Sequence, residues 1–246
     1  MKIVVCVFSY KADAALCGYA LESVELIKKR YPEHDIKTAL INDSNDLIEE
    51  NRRPKTDIYK ETTFNRGKSL MGGDCIRGQI KVYSELFSES DADVLIKLDS
   101  DTTLESLDWL WLFNGFGAGM WGATSDIYPS IFGACYAISR QTVDGISFLL
   151  SGAVLGNDAA EDRAITRLAE ISEELGIGGK TATNFYHSGH SVGIVNQTEN
   201  VIAGKKAIFR DVWCHTFGLP GSDKAEVERS MRNSILSVNN TPKPQY

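Results

Sequence analysis

The stretch that decides the fold is Val94-Leu95-Ile96-Lys97-Leu98-Asp99-Ser100-Asp101, in which two aspartates directly follow a short, mostly apolar run. A run of this length bounded by polar residues is typical of a buried β-strand. In open α/β sheets, ligands bind beyond the carboxyl ends of the strands. The stretch therefore predicts a ligand site where Asp99 and Asp101 leave the sheet.

These two carboxylates suit a divalent cation. Such an ion takes one or two carboxylates and completes its shell with waters and substrate phosphates. Residues i and i+2 share a face of an extended strand, but the chain has to bend where the strand ends, so Asp99 and Asp101 need not contact the same atom. The alternative is a solvated acidic turn that caps a helix near residues 104–106. The position directly after an apolar strand favours a functional site.

Strands and helices alternate around this stretch. An apolar run at 3–9, an amphipathic helix at 13–30 and a strand at 36–41 form an opening that is typical of a parallel sheet. Further strands are predicted at 56–62, 94–98, 118–124 and 131–138, and further helices at 73–87, 160–175 and 223–238. We therefore predict a single α/β domain over residues 1–238, with a mostly parallel central sheet flanked by helices. A disordered polar tail is expected at 239–246.

Composition narrows the functional class. The net charge of −7 over 246 residues argues against a nucleic-acid-binding surface, which needs a basic stripe. It does not argue against an anionic nucleotide, because a bound divalent ion reverses the local sign of charge. No stretch approaches the roughly 20 apolar residues of a membrane span. The five cysteines lack metal-site or redox spacing, so we expect the free thiols of a cytoplasmic protein.

Several short motifs occur in an order that resembles the GT-A glycosyltransferases, especially the family-2-like group. The matching stretches are residues 5–10, 41–46, 98–101, 133–140, 160–165 and 212–215. The stretch 98–101 matches the DxD motif of these enzymes. One departure is that the paired aspartates expected after the second strand appear here as Asn42-Asp43. The resemblance implies one Rossmann-like GT-A domain that binds a nucleotide sugar.

Carried over residue by residue, the resemblance implies roles at the donor site. Donor contacts are implied for Ser9, Tyr10, Asp43, Asp99 and Ser100. Asp101 is implied to bind Mn²⁺ or Mg²⁺ directly, with His215 as a further ligand and Asp99 at the ion or the ribose. An Asx turn is the alternative for Asp43, and His187 or His190 could take the place of His215.

Two basic residues, Arg66 and Lys68, flank Gly67 in a loop expected near the carboxyl edge of the sheet. They could hold the diphosphate, because a guanidinium matches phosphate oxygens in pairs. Solvated loop charges are the alternative.

Tryptophans could stack on the acceptor sugar. Trp109 and Trp111 cannot share a helical face, so at least one of them belongs to the core. The predicted stacking surface is Trp121.

The catalytic base is predicted at Glu161-Asp162, with Asp162 ahead of Glu161. Glycosyl transfer with inversion needs a carboxylate that removes the proton of the acceptor hydroxyl. A carboxylate at a helix start is held by backbone donors, which would lower its pKa and keep it ionised. Plain N-terminal capping, with Asp158 as a competing cap, is the alternative.

The predicted function is metal-dependent transfer of a hexose from a nucleotide-diphosphate sugar, with UDP as the expected nucleotide, to a hydroxyl of a carbohydrate or glycan acceptor. Family-2 likeness favours inversion, whereas residues 215–218 also resemble the late His-x-x-Gly of retaining relatives. One alternative is a nucleotidyltransferase, although the segment after the first strand, Ser9-Tyr10-Lys11-Ala12-Asp13, lacks the glycine of a phosphate loop. The other is a nucleotide- or carbohydrate-binding module without catalysis.

Overall fold

The computed structural model describes residues 1–63, 72–107, 110, 119–122, 130–131, 133–156, 160–182, 194–196, 214–216 and 223–239. In this part of the chain the strands are β1 Lys2–Ser9, β2 Asp35–Asp43, β3 Ile58–Thr62, β4 Val94–Asp99, β5 Thr102–Leu104, β6 Gly119–Gly122, β7 Cys135–Ser139, β8 Lys180–Ala182, β9 Ile194–Asn196 and β10 Cys214–Thr216. The helices are α1 Ala14–Arg30, α2 Gly73–Ser90, α3 Arg140–Gly152, α4 Glu161–Glu174 and α5 Lys224–Asn239, and short 3-10 turns lie at Lys11–Asp13 and Glu50–Arg52.

Seven of the described strands form one sheet in the order β3-β2-β1-β4-β7-β6-β8. Neighbouring strands are parallel except around β7, which is antiparallel to both β4 and β6. The register pairs Ser9 with Asn42 and Phe8 with Asp99, so the carboxyl ends of β1, β2 and β4 meet at one edge. The predicted α/β class with a mostly parallel, helix-flanked sheet is confirmed.

Strand β1 is buried on both faces, as its continuous apolar sequence requires. Alternate residues serve two cores. Ile3, Val5 and Val7 belong to the core that contains the inward face of α1. Val4, Cys6 and Phe8 belong to the core that contains the inward faces of α2, α3 and α4. All five cysteines are buried thiols within these layers.

A second, three-stranded sheet of described residues follows the order β5-β10-β9. Only two residues, Ser100 and Asp101, separate β4 from β5, and they form a tight turn from the large sheet into the small one. Strand β10 runs antiparallel to β5 and pairs His215 with Thr103 and Thr216 with Thr102. The small sheet therefore continues directly from the acidic turn.

Helix α3 is absent from the sequence-based prediction. Its signals are present, because Ser139 caps it by accepting the Thr142 N–H at 3.2 Å, and Val143, Ile146 and Leu150 follow at helical spacing. The strand predicted at 131–138 begins later, at Cys135, because Gly133 and Ala134 form a turn.

The tail predicted at 239–246 lies outside the described residues apart from Asn239, which ends α5. None of the described helices is both long and apolar enough to cross a membrane.

Candidate active site at the carboxyl edge of the sheet

The acidic turn is anchored at its first two residues. Asp99 is the last residue of β4, and its backbone N–H donates to the Ala134 carbonyl at 2.9 Å. Ser100 is buried, and its hydroxyl donates to Asp13 Oδ2 at 3.1 Å. Asp101 follows at the corner and is half-buried, and its Oδ1 accepts from the Thr102 hydroxyl at 3.4 Å. The turn thus holds the Asp101 carboxylate at the edge of the sheet.

Asp13 is a site residue that the sequence prediction missed. It is buried, and its second carboxylate oxygen accepts from Lys224 Nζ at 2.8 Å. Lys224, at the start of α5, also donates to the Ala12 carbonyl at 2.9 Å and lies 5.6 Å from the centroid of the Tyr10 ring. Asp13 therefore joins the segment after β1, the acidic turn and the last helix. No local pattern indicates this role, because its partners lie 87 and 211 residues away.

The contacts at the end of β2 explain why Asn42-Asp43 stands where the GT-A pattern has paired aspartates. Asn42 is fully buried; its amide donates to Tyr59 Oη at 3.0 Å and the Ile48 carbonyl at 3.4 Å, while its Oδ1 accepts from Ile48 N–H at 3.1 Å. A carboxylate could not make these donations. Asp43 Oδ1 accepts from the Asn45 N–H at 3.1 Å, which is the Asx-turn contact. The structure thus gives Asp43 the turn contact and leaves its predicted donor contact a prediction.

The segment after β1 lies beside the acidic turn. Ser9 is fully buried, so its hydroxyl does not reach the surface. Tyr10 is half-buried next to the Lys224 ammonium. Of these two predicted donor contacts, only Tyr10 has an exposed fraction with which to meet a ligand.

A buried ion-pair cluster lies behind the acidic turn. Lys97, two residues before Asp99 on β4, is 3 % exposed. Its ammonium donates to the Gly133 carbonyl and lies 2.7 Å from Asp99 Oδ1 and 3.9 Å from Glu161 Oε2. It also lies 5.8 Å from the centroid of the Tyr136 ring, its cross-strand neighbour on β7. One cation therefore faces carboxylates from β4 and from the first residue of α4.

Glu161 is enclosed on its other side by hydroxyl groups. Tyr136 Oη donates to Glu161 Oε1 at 3.4 Å and lies 2.9 Å from Tyr83 Oη. Gln79 Nε2 donates to both phenol oxygens at 2.7 Å. Burial raises the pKa of both tyrosines well above the ordinary value, so both phenols stay protonated and able to donate.

The expectation that backbone donors lower the pKa at the start of α4 is wrong for Glu161. Burial raises the pKa of its carboxyl group, and Asp99 and Asp162 add to the rise, while the Lys97 ammonium opposes it. The residue before the helix, Ala160, provides no side-chain cap. Asp162 is half-buried, and its Oδ1 accepts the Arg163 N–H at 2.8 Å.

The two aspartates of the acidic turn, Asp99 and Asp101, are not equally suited to bind a divalent ion. Asp101 is a partly exposed carboxylate at a turn, which suits a hard cation. Asp99 is already paired with an ammonium, which competes with an ion for the same carboxylate. Strand pairing places residue 215 opposite Thr103, two residues beyond Asp101. Among the described residues, no group of three or more His, Cys, Asp or Glu side chains could hold a metal.

The other residues predicted for the site are not among those that the structure places at the acidic turn or the ion-pair cluster. Trp121 is 1 % exposed within the core on β6, so its ring is not available to stack on a sugar, and that prediction is wrong. The remaining candidates lie outside the described residues: Arg66, Lys68, Trp109, Trp111, Asp158, His187 and His190.

The geometry defines an α/β domain with an acidic turn at the carboxyl edge of its sheet, and comparison with solved structures agrees with this class. The chain is similar to the galactosyltransferase LgtC in complex with donor and acceptor sugar analogues, with a TM-score of 0.56 and 15% identity over 99% of this chain and 98% of LgtC. It is also similar to an active-site mutant of LgtC, with a TM-score of 0.50 and 15% identity over 95% of this chain and 96% of that one.

These likenesses establish that the fold is the GT-A glycosyltransferase fold. No protein-family profile matches the sequence, and no curated protein matches it.

Proposed function

We propose that the protein is a metal-dependent glycosyltransferase. It moves a hexose from a nucleotide-diphosphate sugar, with UDP as the favoured nucleotide, to a hydroxyl of a carbohydrate or glycan acceptor. The observation that carries the proposal is the position of Asp101, half-buried at the turn between the GT-A sheet and the small sheet. The likeness to LgtC, which was solved with donor and acceptor sugar analogues, supports the same class of reaction.

The donor side of the proposal rests on the carboxyl ends of β1, β2 and β4. Asp101 and His215 would hold Mn²⁺ or Mg²⁺, and the bound ion would neutralise the charge of the departing diphosphate. Asp99, paired with Lys97, would contact the ribose or the outer shell of the ion. Tyr10 would complete the nucleotide pocket, and Lys224, beside Tyr10, adds a positive charge to this rim.

The acceptor side of the proposal rests on the start of α4. Asp162 is proposed as the base that takes the proton of the acceptor hydroxyl, and transfer then inverts the configuration at the anomeric carbon. Glu161 is fixed by Lys97 and Tyr136, so it holds the first turn of the helix in place. The Gly133 turn lies against both side chains, because a Cβ at residue 133 would stand 3.2 Å from Asp162 Cβ and 3.2 Å from Glu161 Oε2.

The test is a panel of UDP- and GDP-sugars with Mn²⁺, with EDTA as the control, assayed for slow hydrolysis and for transfer to simple glycosides. We expect metal-dependent turnover of a UDP-sugar and, by NMR of the product, an inverted anomer. Binding of UDP and Mn²⁺ without any turnover would indicate a binding module, and transfer of the nucleotide itself would indicate a nucleotidyltransferase.

Two variants test whether the activity depends on the carboxylate of Asp101. Asp101→Asn should abolish turnover and leave the thermal midpoint unchanged, because a half-buried turn carboxylate is not part of the core. Asp35→Asn is the matched control, since Asp35 is exposed at the amino end of β2, the opposite edge of the sheet. If Asp101→Asn instead loses several kcal/mol of stability, on the scale of a broken buried network, Asp101 is structural.

A further inference from the structure

The feature that the proposed function leaves unexplained is the buried ammonium of Lys97. Strand β4 is otherwise apolar up to Asp99, and its residues Val94 to Leu98 are all buried. Burying an ammonium costs several kcal/mol unless its partners compensate. A well-packed apolar side chain in such a position is often as good for stability or better. Stability alone therefore does not explain Lys97, and its role depends on the groups that its ammonium contacts.

Among the described residues, Lys97 contacts polar groups from three different elements. Asp99 lies at the end of β4, the Gly133 carbonyl lies in the turn before β7, and Glu161 begins α4. The shorter of the two carboxylate contacts is to Asp99, at 2.7 Å from Nζ to Oδ1. In the described part of the chain, the other charged or titratable groups around the cluster are Asp162 on α4, Tyr136 on β7 and Tyr83 on α2.

Asp99 and Asp101 lie in the same turn, and both are partly exposed. The Lys97 ammonium lies 2.7 Å from Asp99 Oδ1. One contact of Asp101 is the hydrogen bond that its Oδ1 accepts from the Thr102 hydroxyl at 3.4 Å. A positive charge at 2.7 Å lowers the attraction of a carboxylate for a second cation, because the two cations repel each other in the same small space.

We propose that Lys97 is a positioning residue that holds Asp99 away from the metal ion and ties it to Glu161. Of the two aspartates in the acidic turn, this leaves Asp101 to the ion. It also fixes the donor-side carboxylate and the start of the acceptor-side helix to one buried charge. The inference rests on the proposed function, because it concerns the ion and donor of that reaction.

The first measurement is Mn²⁺ affinity in the absence of nucleotide, by electron paramagnetic resonance of free Mn²⁺. Lys97→Met removes the charge with little change in length, so Asp99 becomes available to the ion and Mn²⁺ should bind more tightly than to the wild type. Lys97→Met combined with Asp99→Asn should return the affinity to the wild-type range, because the newly available ligand is Asp99. Lys97→Arg keeps the charge and should leave Mn²⁺ affinity unchanged.

The second measurement is transfer with the best donor of the panel. Lys97→Met should lower kcat by roughly 10- to 100-fold, because Asp99 and Glu161 are no longer fixed. Lys97→Arg should also lower kcat, to a smaller extent, because the larger guanidinium shifts both carboxylates. Lys60→Met is the matched control: Lys60 also has a shielded side chain, 20% exposed, paired with Glu89 at 2.5 Å, but on edge strand β3. It should leave both Mn²⁺ affinity and kcat unchanged.

The outcomes separate the inference from the function. If wild-type protein and Lys60→Met transfer no sugar with any donor, the proposed function and the inference both fail. If wild type is active and Lys97→Met binds Mn²⁺ equally or more weakly, only the inference is overturned. The same holds if the tighter binding persists in the double variant.

A comparison of single aspartate variants covers the case in which Lys97→Met does not fold. Asp101→Asn should abolish Mn²⁺ binding, whereas Asp99→Asn should leave it within a few-fold of wild type, because Lys97 already keeps Asp99 off the ion. Equal losses in the two variants would overturn the inference. Unequal losses in the expected direction, together with a lower kcat in Lys97→Arg, would support it.

Discussion

Replacing Asn42 by aspartate tests whether the departure from the paired-aspartate pattern is structural. The amide is fully buried and makes two donations, to Tyr59 Oη at 3.0 Å and to the Ile48 carbonyl at 3.4 Å. Aspartate keeps the acceptor for Ile48 N–H but turns both donors into acceptors. The Ile48 carbonyl then faces a carboxylate oxygen, and Tyr59 Oη already donates to Glu61 Oε1 at 2.6 Å.

The magnitude follows from these contacts. Each buried polar group left without its partner costs about 1–3 kcal/mol. Asn42→Asp leaves one carbonyl and one charged carboxylate without hydrogen-bond donors in a fully buried position, so it should destabilise the protein by about 3 kcal/mol. At roughly 2–4 °C per kcal/mol for a chain of this size, the thermal midpoint should fall by about 6–12 °C.

Thermal unfolding followed by circular dichroism measures this shift. Asn45→Asp is the matched control, because it makes the same chemical change in the same loop at an exposed residue. A surface substitution of this kind should stay within about 0.5 kcal/mol of wild type. If Asn42→Asp is as stable as Asn45→Asp, the amide donations do not hold the loop and the structural account of the departure is wrong.

Three further predictions concern the start of α4 and the turn against it. Asp162→Asn should lower kcat for transfer by roughly 10²–10⁴-fold, as for a lost general base, with UDP–Mn²⁺ affinity near wild type; a joint collapse of both by calorimetry and kinetics would place the base elsewhere. The pKa of Glu161 is raised above 4.5, so folding favours its protonated form. The stability that the protonated Glu161 carboxyl group contributes is therefore lost as pH rises above the ordinary pKa of 4.5. Urea unfolding should show wild type losing stability relative to Glu161→Gln above about pH 4.5; parallel pH profiles would contradict this. Gly133→Ala should lower stability by about 1–3 kcal/mol and reduce transfer, because its Cβ would stand 3.2 Å from Asp162 Cβ and Glu161 Oε2; unchanged transfer would mean that these carboxylates tolerate displacement.

The parts of the fold that depend on local sequence were predictable. The continuous apolar run of β1 and the helical spacing of α1 indicate a buried parallel strand and its covering helix, and both occur at Lys2–Ser9 and Ala14–Arg30. The same local signals place Asp99 at the end of β4. Helix α3 is absent from the prediction although its signals are local: Ser139 caps it, and Val143, Ile146 and Leu150 follow at helical spacing.

The parts of the site that depend on distant partners were not predictable. In the sequence, Lys97 is only a polar residue within an apolar strand. Its ion pair with Glu161 depends on the packing of α4, which brings the Glu161 carboxylate to within 3.9 Å of the Lys97 ammonium. Asp13 reads as a loop residue until Ser100 and Lys224 meet it. Burial, which reverses the expected direction of the pKa shift at Glu161, is likewise a property of the packed chain and not of the helix start alone.

The reversed direction of β7 explains how one edge of the sheet obtains both sides of the proposed reaction. A parallel strand next to β4 would bring its own carboxyl end to this edge. Because β7 is antiparallel, it brings instead the turn that precedes it: Cys135 pairs with Leu98, and the Ala134 carbonyl accepts the Asp99 N–H. That turn carries Gly133, whose lack of a side chain lets Glu161 and Asp162 approach from α4 and whose carbonyl accepts a hydrogen bond from Lys97. The antiparallel strand thus places the acceptor-side carboxylates against the donor-side turn, and Lys97 is the charge that joins them.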